Sequence, residues 1–287
     1  MNANTQLVNA WIFLNEDEPA GTNYDSPNSC YQSLIQNNVY QSVDILYLCF
    51  VTTLPTSADT IPAGDGSSFT IRMGAAAHNQ PYMNNILKDA PLNNPNIKIA
   101  VTLEYGDGSV LSNIFSNPNF SDQQNAANFA SNLMVYLQSF NLDGFDLDWE
   151  YPISDNTTQA QFALLINAIG AQFQQQTDKH YYLTLSPAAV GNLDPTAVNN
   201  NVDFLNLQLY SGFTNPSQFQ SAGVSGFKFA YGAKFESGFQ TAEEAYQDNE
   251  TNYQFSIFTN WRLNSDNFEF EQSQQQRLYQ LVFPSPT

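Results

Sequence analysis

The chain has 287 residues, with 8 Lys and Arg against 27 Asp and Glu, a formal net charge of −19 and 42% hydrophobic residues. This is the composition of an acidic globular protein and excludes a disordered one. The few basic residues are scattered singly and form no stripe to neutralise phosphates or anionic lipid, so neither nucleic acid nor a membrane is an expected partner.

In chain order, the N-terminus lacks the charged-then-apolar layout of a signal peptide, and a mature exported chain is expected from Met1 onward. The first β-rich run covers residues 7–14 and carries Trp11; the second covers 43–51. Cys30 and Cys49 allow at most one bridge, too few for a disulfide framework, and free buried thiols are expected. Residues 55–73, with a Gly/Ser-rich stretch at 63–68, read as a loop or hairpin excursion. A third strand is expected at 97–105. Residues 121–140 follow as a helix, with Ser121 and Asp122 as caps and Phe129, Leu133, Val135, Tyr136 and Phe140 as its apolar stripe. Strand 142–149, helix 156–173 and strands 181–186, 202–210, 227–231 and 254–259 complete the series. Eight strands separated by helical stretches imply parallel pairing with right-handed crossovers, and a closed (β/α)8 TIM barrel has this count and length. One domain over residues 1–287 is expected. A doubly wound open sheet fits less well, because no glycine-rich phosphate turn follows the first strand.

Side chains alternate across a strand, so odd and even positions can be sorted by face. The fourth strand puts Phe145, Leu147 and Trp149 on one face and Gly144, Asp146, Asp148 and Glu150 on the other. The sixth sets Leu205, Leu207 and Leu209 against Asn206, Gln208 and Tyr210. A barrel interior that merely packed would carry branched aliphatics, because a buried unpaired charge costs several kcal/mol. Carboxylates two residues apart on a strand lie about 6–7 Å apart, so they cannot all ionise cheaply and one of them should hold a proton near neutral pH. Glu150, at the C-terminal end where barrel active sites are built, is the natural general acid. The competing readings are a solvated acidic face and a hard-metal site. The apolar opposite face argues against the first. Against the second, calcium-loop spacing is absent and no His lies in the run, while His78 and His180 are isolated. No metal and no cofactor are expected.

Asp143, Asp146, Asp148 and Glu150 together resemble the Asp-x-x-Asp-x-Asp-x-Glu signature of glycoside hydrolase family 18, the chitinase family. Residues 202–210 resemble that family's sixth strand, with Tyr210 matching its catalytic-site tyrosine. Trp261, after the eighth strand, matches the tryptophan that floors a sugar subsite. The resemblance implies a retaining (β/α)8 hydrolase that cleaves β-1,4 bonds between N-acetylglucosamine units, with the substrate's own acetamido group as nucleophile. Carried over by position, Glu150 would be the general acid and base. Asp148 would orient the acetamido N–H, Asp146 would share a proton with Asp148, and Tyr210 would hydrogen-bond the acetamido carbonyl. Asp143, on the other parity, is expected to support the fold.

Departures from the pattern are as informative as matches. The third strand ends Thr102-Leu103-Glu104-Tyr105 where the family carries Ser-x-Gly-Gly, and Gln208 and Ser211 stand where many members have Met and Asp. Trp261, Gln208, Tyr105, Tyr151 and Trp11 are the expected substrate-binding residues. The segment between Tyr231 and Gln254 is too short for an extra α+β insertion domain, so a shallow, open cleft is expected. The implied protein is a secreted, extracellular, monomeric endo-chitinase acting on chitin or another N-acetylglucosamine-containing glycan. The alternatives are an endo-β-N-acetylglucosaminidase cutting N-glycan cores and a catalytically weak chitin-binding lectin.

Overall fold

The computed structural model describes residues 5–14 and 23–284, and the expected mature N-terminus at Met1 lies outside them. Nine strands occur among the described residues: β1 Leu7–Phe13, β2 Ile45–Pro55, β3 Phe69–Met73, β4 Lys98–Leu103, β5 Gly144–Trp149, β6 Tyr182–Pro187, β7 Phe204–Leu207, β8 Phe229–Lys234 and β9 Ile257–Trp261. They are ordered β1-β9-β8-β7-β6-β5-β4-β2-β3, and β1 also pairs with β2. This last pairing closes eight parallel strands into the expected (β/α)8 barrel. The excursion at 55–73 supplies β3, which runs antiparallel beside β2 with Thr52 opposite Arg72. No helix among the described residues is long and apolar enough to cross a membrane.

The chain divides into two compact units, Met1–Cys49 with Gly74–Ile99 and Ala230–Thr287, and Phe50–Met73 with Ala100–Phe229. In the second unit β4, β5, β6 and β7 lie side by side. Helix Asp122–Ser139 is started by a capping box: Gln124 N donates to Ser121 Oγ at 3.3 Å and Ser121 N donates to Gln124 Oε1 at 2.9 Å. Its buried face carries Phe129, Leu133 and Tyr136, but Val135 is 41% exposed. Val135 therefore falls outside the expected stripe, since it sits two positions from Leu133 rather than three or four. Helix Gln159–Gln174 starts the same way from Thr158 and Gln161, three residues later than the sequence pattern places it. Residues Ile153–Asn156 form a separate helical turn.

These two helices receive the apolar face of β5. Phe145 meets Phe129 edge-on at 6.5 Å between ring centroids, and Trp149 meets Phe162 at 4.7 Å. Phe145, Leu147 and Trp149 are all fully buried, and truncating an aromatic so placed costs about 3–5 kcal/mol. Gly144 fixes the spacing to β6, because a Cβ there would lie 2.6 Å from the Tyr182 carbonyl oxygen. β7 is shorter than the sequence pattern implies: it ends at Leu207, and Leu209–Ser211 form a 3-10 turn. Leu209 and Tyr210 therefore leave the strand alternation. Likewise Gly226–Lys228 form a 3-10 turn with Phe227 71% exposed, and β8 begins only at Phe229.

In the first unit Trp11 of β1 is in register with Tyr47 of β2, and the two rings stack at 5.1 Å. Trp261 is the last residue of β9 rather than a residue beyond it. Cys30 and Cys49 are buried and free. Between β8 and β9 the chain makes helix Ala242–Asp248 and short turns with no strand, so the α+β insertion is absent from this segment.

Candidate active site

The polar face of β5 belongs to the second unit, and the β5–β6 register decides what it meets. Asp146 is opposite Thr184 and Asp148 is opposite Ser186. Thr184 Oγ1 donates to Asp146 Oδ1 at 2.6 Å and Ser186 Oγ donates to Oδ2 at 2.8 Å, while Asn206 Nδ2 donates to Ser186 Oγ at 3.3 Å. Burial pushes the Asp146 carboxyl up to about 6, against the pull of hydrogen bonds from Thr184, Ser186 and Thr102. The expected proton-sharing partner, Asp148, is held well above the usual carboxylate range. Burial is the main cause, followed by the charge on Glu150, a hydrogen bond to Glu150 and the charge on Asp146. Asp148 is thus favoured in its protonated form, hydrogen-bonded to Glu150.

Glu150 directly follows β5 and is half-buried. Gln208 directly follows β7, and its Nε2 donates to Glu150 Oε1 at 2.8 Å, the Ser186 carbonyl at 3.0 Å and Asp148 Oδ1 at 3.1 Å. Tyr210 OH donates to Gln208 Oε1 at 3.4 Å. β4 ends at Leu103 rather than running to 105, and the Tyr105 phenol, two residues beyond it, is raised by burial and then by the charges on Glu150 and Asp148. Asp146, Asp148, Glu150, Gln208, Tyr210 and Tyr105 are thereby brought together in one unit. Tyr151 follows Glu150 with its ring 72% exposed. Trp11 and Trp261 belong to the other unit, where their rings lie 6.0 Å apart and Phe13 stands 6.0 Å from Trp261.

Asp143, directly before β5, is engaged by Lys179. Lys179 Nζ donates to its Oδ1 at 3.1 Å and to the Leu142 carbonyl at 2.9 Å. Each histidine also has a local partner: His78 Nε2 lies 2.8 Å from the Leu14 carbonyl and His180 Nε2 lies 3.0 Å from Asp203. Among the described residues no group of three His, Cys, Asp or Glu side chains could hold a metal ion. Parity alone does not single out Thr102, Thr184, Ser186 and Asn206 as partners of the acids. The signal for them is the strand register, which sets hydroxyls opposite Asp146 and Asp148.

An Asp148 carboxyl held protonated and hydrogen-bonded to Glu150, at the C-terminal end of a barrel strand and beside neutral donors, can support giving a proton to an oxygen placed beside Glu150 and taking one back. The profile of Glycosyl hydrolases family 18 matches residues 23–274. The chain belongs to this family. Chitinase A1 of Niallia circulans is 28% identical over 148 residues, 46% of this chain and 21% of that protein. The chain's matches span between about a fifth and a third of the curated relatives' lengths. Among solved family 18 structures, the class V chitinase of Nicotiana tobaccum, a mutant in complex with NAG4, superposes with a TM-score of 0.68 at 12% identity. The match covers 97% of this chain and all of that one. Human YKL-39, described as a pseudo-chitinase with retained chitooligosaccharide binding, matches with a TM-score of 0.56 at 12% identity over 80% of this chain and 66% of its own.

Proposed function

We propose that the chain is a retaining glycoside hydrolase that cleaves β-1,4 bonds between N-acetylglucosamine units by substrate assistance. The observation that carries this reading is the pair Asp146 and Asp148 on β5 with Glu150 directly after the strand, Asp148 being hydrogen-bonded to Glu150. Glu150 protonates the glycosidic oxygen as its bond to the anomeric carbon breaks. The acetamido oxygen of the same sugar attacks that carbon from the other side and gives an oxazolinium ion. Asp148, left ionised once the proton has gone out through Glu150, accepts a hydrogen bond from the acetamido N–H and faces the developing positive charge, with Asp146 beside it on β5. Tyr210 hydrogen-bonds the acetamido carbonyl. Water then opens the oxazolinium ion and returns its proton to Glu150, restoring the acid with net retention.

Tyr105 and Tyr151 offer ring faces to the sugars. The whole chain acts as a single catalytic domain, an exported monomer with an open cleft. YKL-39 is described as a pseudo-chitinase with retained chitooligosaccharide binding, so binding alone is the second reading. The presence of Glu150 favours hydrolysis over it. The test is cleavage of chitotetraose and cellotetraose by the wild type and by Glu150→Gln. The wild type is expected to cut only the chito-oligosaccharide, and Glu150→Gln is expected to lose about 10²-fold or more in kcat while still binding it. Equal cleavage of both sugars, or a fully active Gln variant, sinks the reading. An N-glycoprotein assayed alongside separates chitinase from endo-β-N-acetylglucosaminidase action.

A further inference from the structure

The sequence pattern places Gln208 among the residues that touch sugar, yet its carboxamide is already committed to the two acids. One amide nitrogen with two hydrogens faces three acceptors: Glu150 Oε1 at 2.8 Å, the Ser186 carbonyl at 3.0 Å and Asp148 Oδ1 at 3.1 Å. The opposite orientation of the amide would set its oxygen against two carboxylates, so the nitrogen must face them. The side chain is held in place. Gln208 is 8% exposed, its own carbonyl accepts Ser211 N at 2.9 Å at the start of the 3-10 turn, and Tyr210 OH donates to its Oε1.

We infer that Gln208 is a positioning residue: its carboxamide clamps Glu150 against Asp148 and thereby sets the pH range over which the pair carries one transferable proton. The inference rests on the proposed reading of Glu150 as general acid. The donor's neutrality is what makes the device work. An Arg or Lys at this position would hold both carboxylates ionised and leave no proton to give, whereas an apolar side chain would leave the negative charge of the pair without a donor from β7. Around the clamp β5 supplies Asp146 and Asp148 with Glu150 directly after it, the segment after β4 carries Glu104 and Tyr105, the turn after β7 supplies Tyr210, and β6 contributes the neutral Thr184 and Ser186. The ion pairs given by the described residues lie elsewhere.

The experiment compares the wild type with Gln208→Met, similar in length but without donors, and with Gln208→Glu, similar in shape but with an added acceptor. The pH dependence of kcat/KM on chitotetraose is read together with the titration of ¹³C-labelled Asp and Glu carboxyls in the free proteins. Removing N–H donors from an ionised pair raises both of its apparent pKa values. In Gln208→Met both limbs of the profile, and the carboxyl titrations, are therefore expected to move up by about one pH unit, and further in Gln208→Glu. Unmoved titrations overturn the inference, whether the loss falls on KM, as for a sugar contact, or uniformly on kcat, as for a packing role. Should Gln208→Met fail to fold, the Gln208→Glu titration decides alone. Displaced titrations in a protein that cleaves no chitotetraose uphold the clamp and sink only the hydrolase reading.

Discussion

Replacing Asp146 by Asn should alter stability in a pH-dependent way whose sign and size follow from the site. Asp146 is fully buried, and its carboxyl is pushed from the ordinary 3.8 up to about 6, chiefly by burial. That displacement corresponds to about 3 kcal/mol. Because the folded-state value is the higher one, the folded protein binds more protons than the unfolded chain between about pH 4 and 6. Stability therefore falls as pH rises through that window and is level above it. Asn at this position never ionises, so the variant escapes the decline. It does turn one acceptor toward the hydroxyls of Thr184 and Ser186 into a donor, a loss of about 1 kcal/mol when a hydroxyl can rotate to accept. Asp146→Asn is thus expected to be about 1 kcal/mol less stable than the wild type near pH 4 and about 2 kcal/mol more stable near pH 7, with lower turnover throughout. Urea unfolding of both proteins at half-unit pH steps measures the crossing. A stability difference that stays constant from pH 4 to 7 would refute the claim that ionised Asp146 burdens the fold.

Two structural substitutions test the frame around the site. Gly144→Ala places a Cβ 2.6 Å from the Tyr182 carbonyl, and the forced separation of β5 from β6 should cost about 1–3 kcal/mol and displace Asp146 from Thr184, visible as a lower urea midpoint with reduced activity. Asp143→Asn removes a partly shielded ion pair with Lys179 directly before the same strand. Thermal unfolding should show a loss of about 1 kcal/mol, while the pH profile of turnover keeps its limbs. The loss of turnover in Glu150→Gln, with chitotetraose binding intact by calorimetry, completes the set.

The division of β5 into an apolar and an acidic face is legible because strand parity is a property of the sequence alone, and Phe145 and Trp149 do meet the flanking helices. What those acids touch is less legible, because it depends on register. Nothing in residues 142–149 says that Asp146 lies opposite Thr184 rather than Ser186, yet that offset decides which hydroxyls hold it. Strand ends are misjudged where apolar residues continue past the last ladder bond. Leu209 extends the alternation of Leu205 and Leu207, but the chain has already turned into a 3-10 segment, which gives Gln208 its reach to both Asp148 and Glu150. The same misreading places Phe227 in β8, although Gly226 opens a turn there and the ring is exposed.

The way the array is held also bears on turnover against binding. Hydroxyls on β4 and β6 and one carboxamide after β7 surround the acids, and the salt bridges of the described residues involve other side chains. A cation in their place would relieve the repulsion among three carboxylates more effectively, but it would hold them ionised and remove the proton that Glu150 must donate. Neutral donors leave the repulsion partly unrelieved, and Asp148 resolves it by being held in its protonated form. A glycan-binding site needs none of this: amides at these positions would hold a sugar equally well without the burden at Asp146 of about 3 kcal/mol. The chain carries that destabilisation at the residues where a transferable proton is useful, the pattern of a site whose activity is bought with stability.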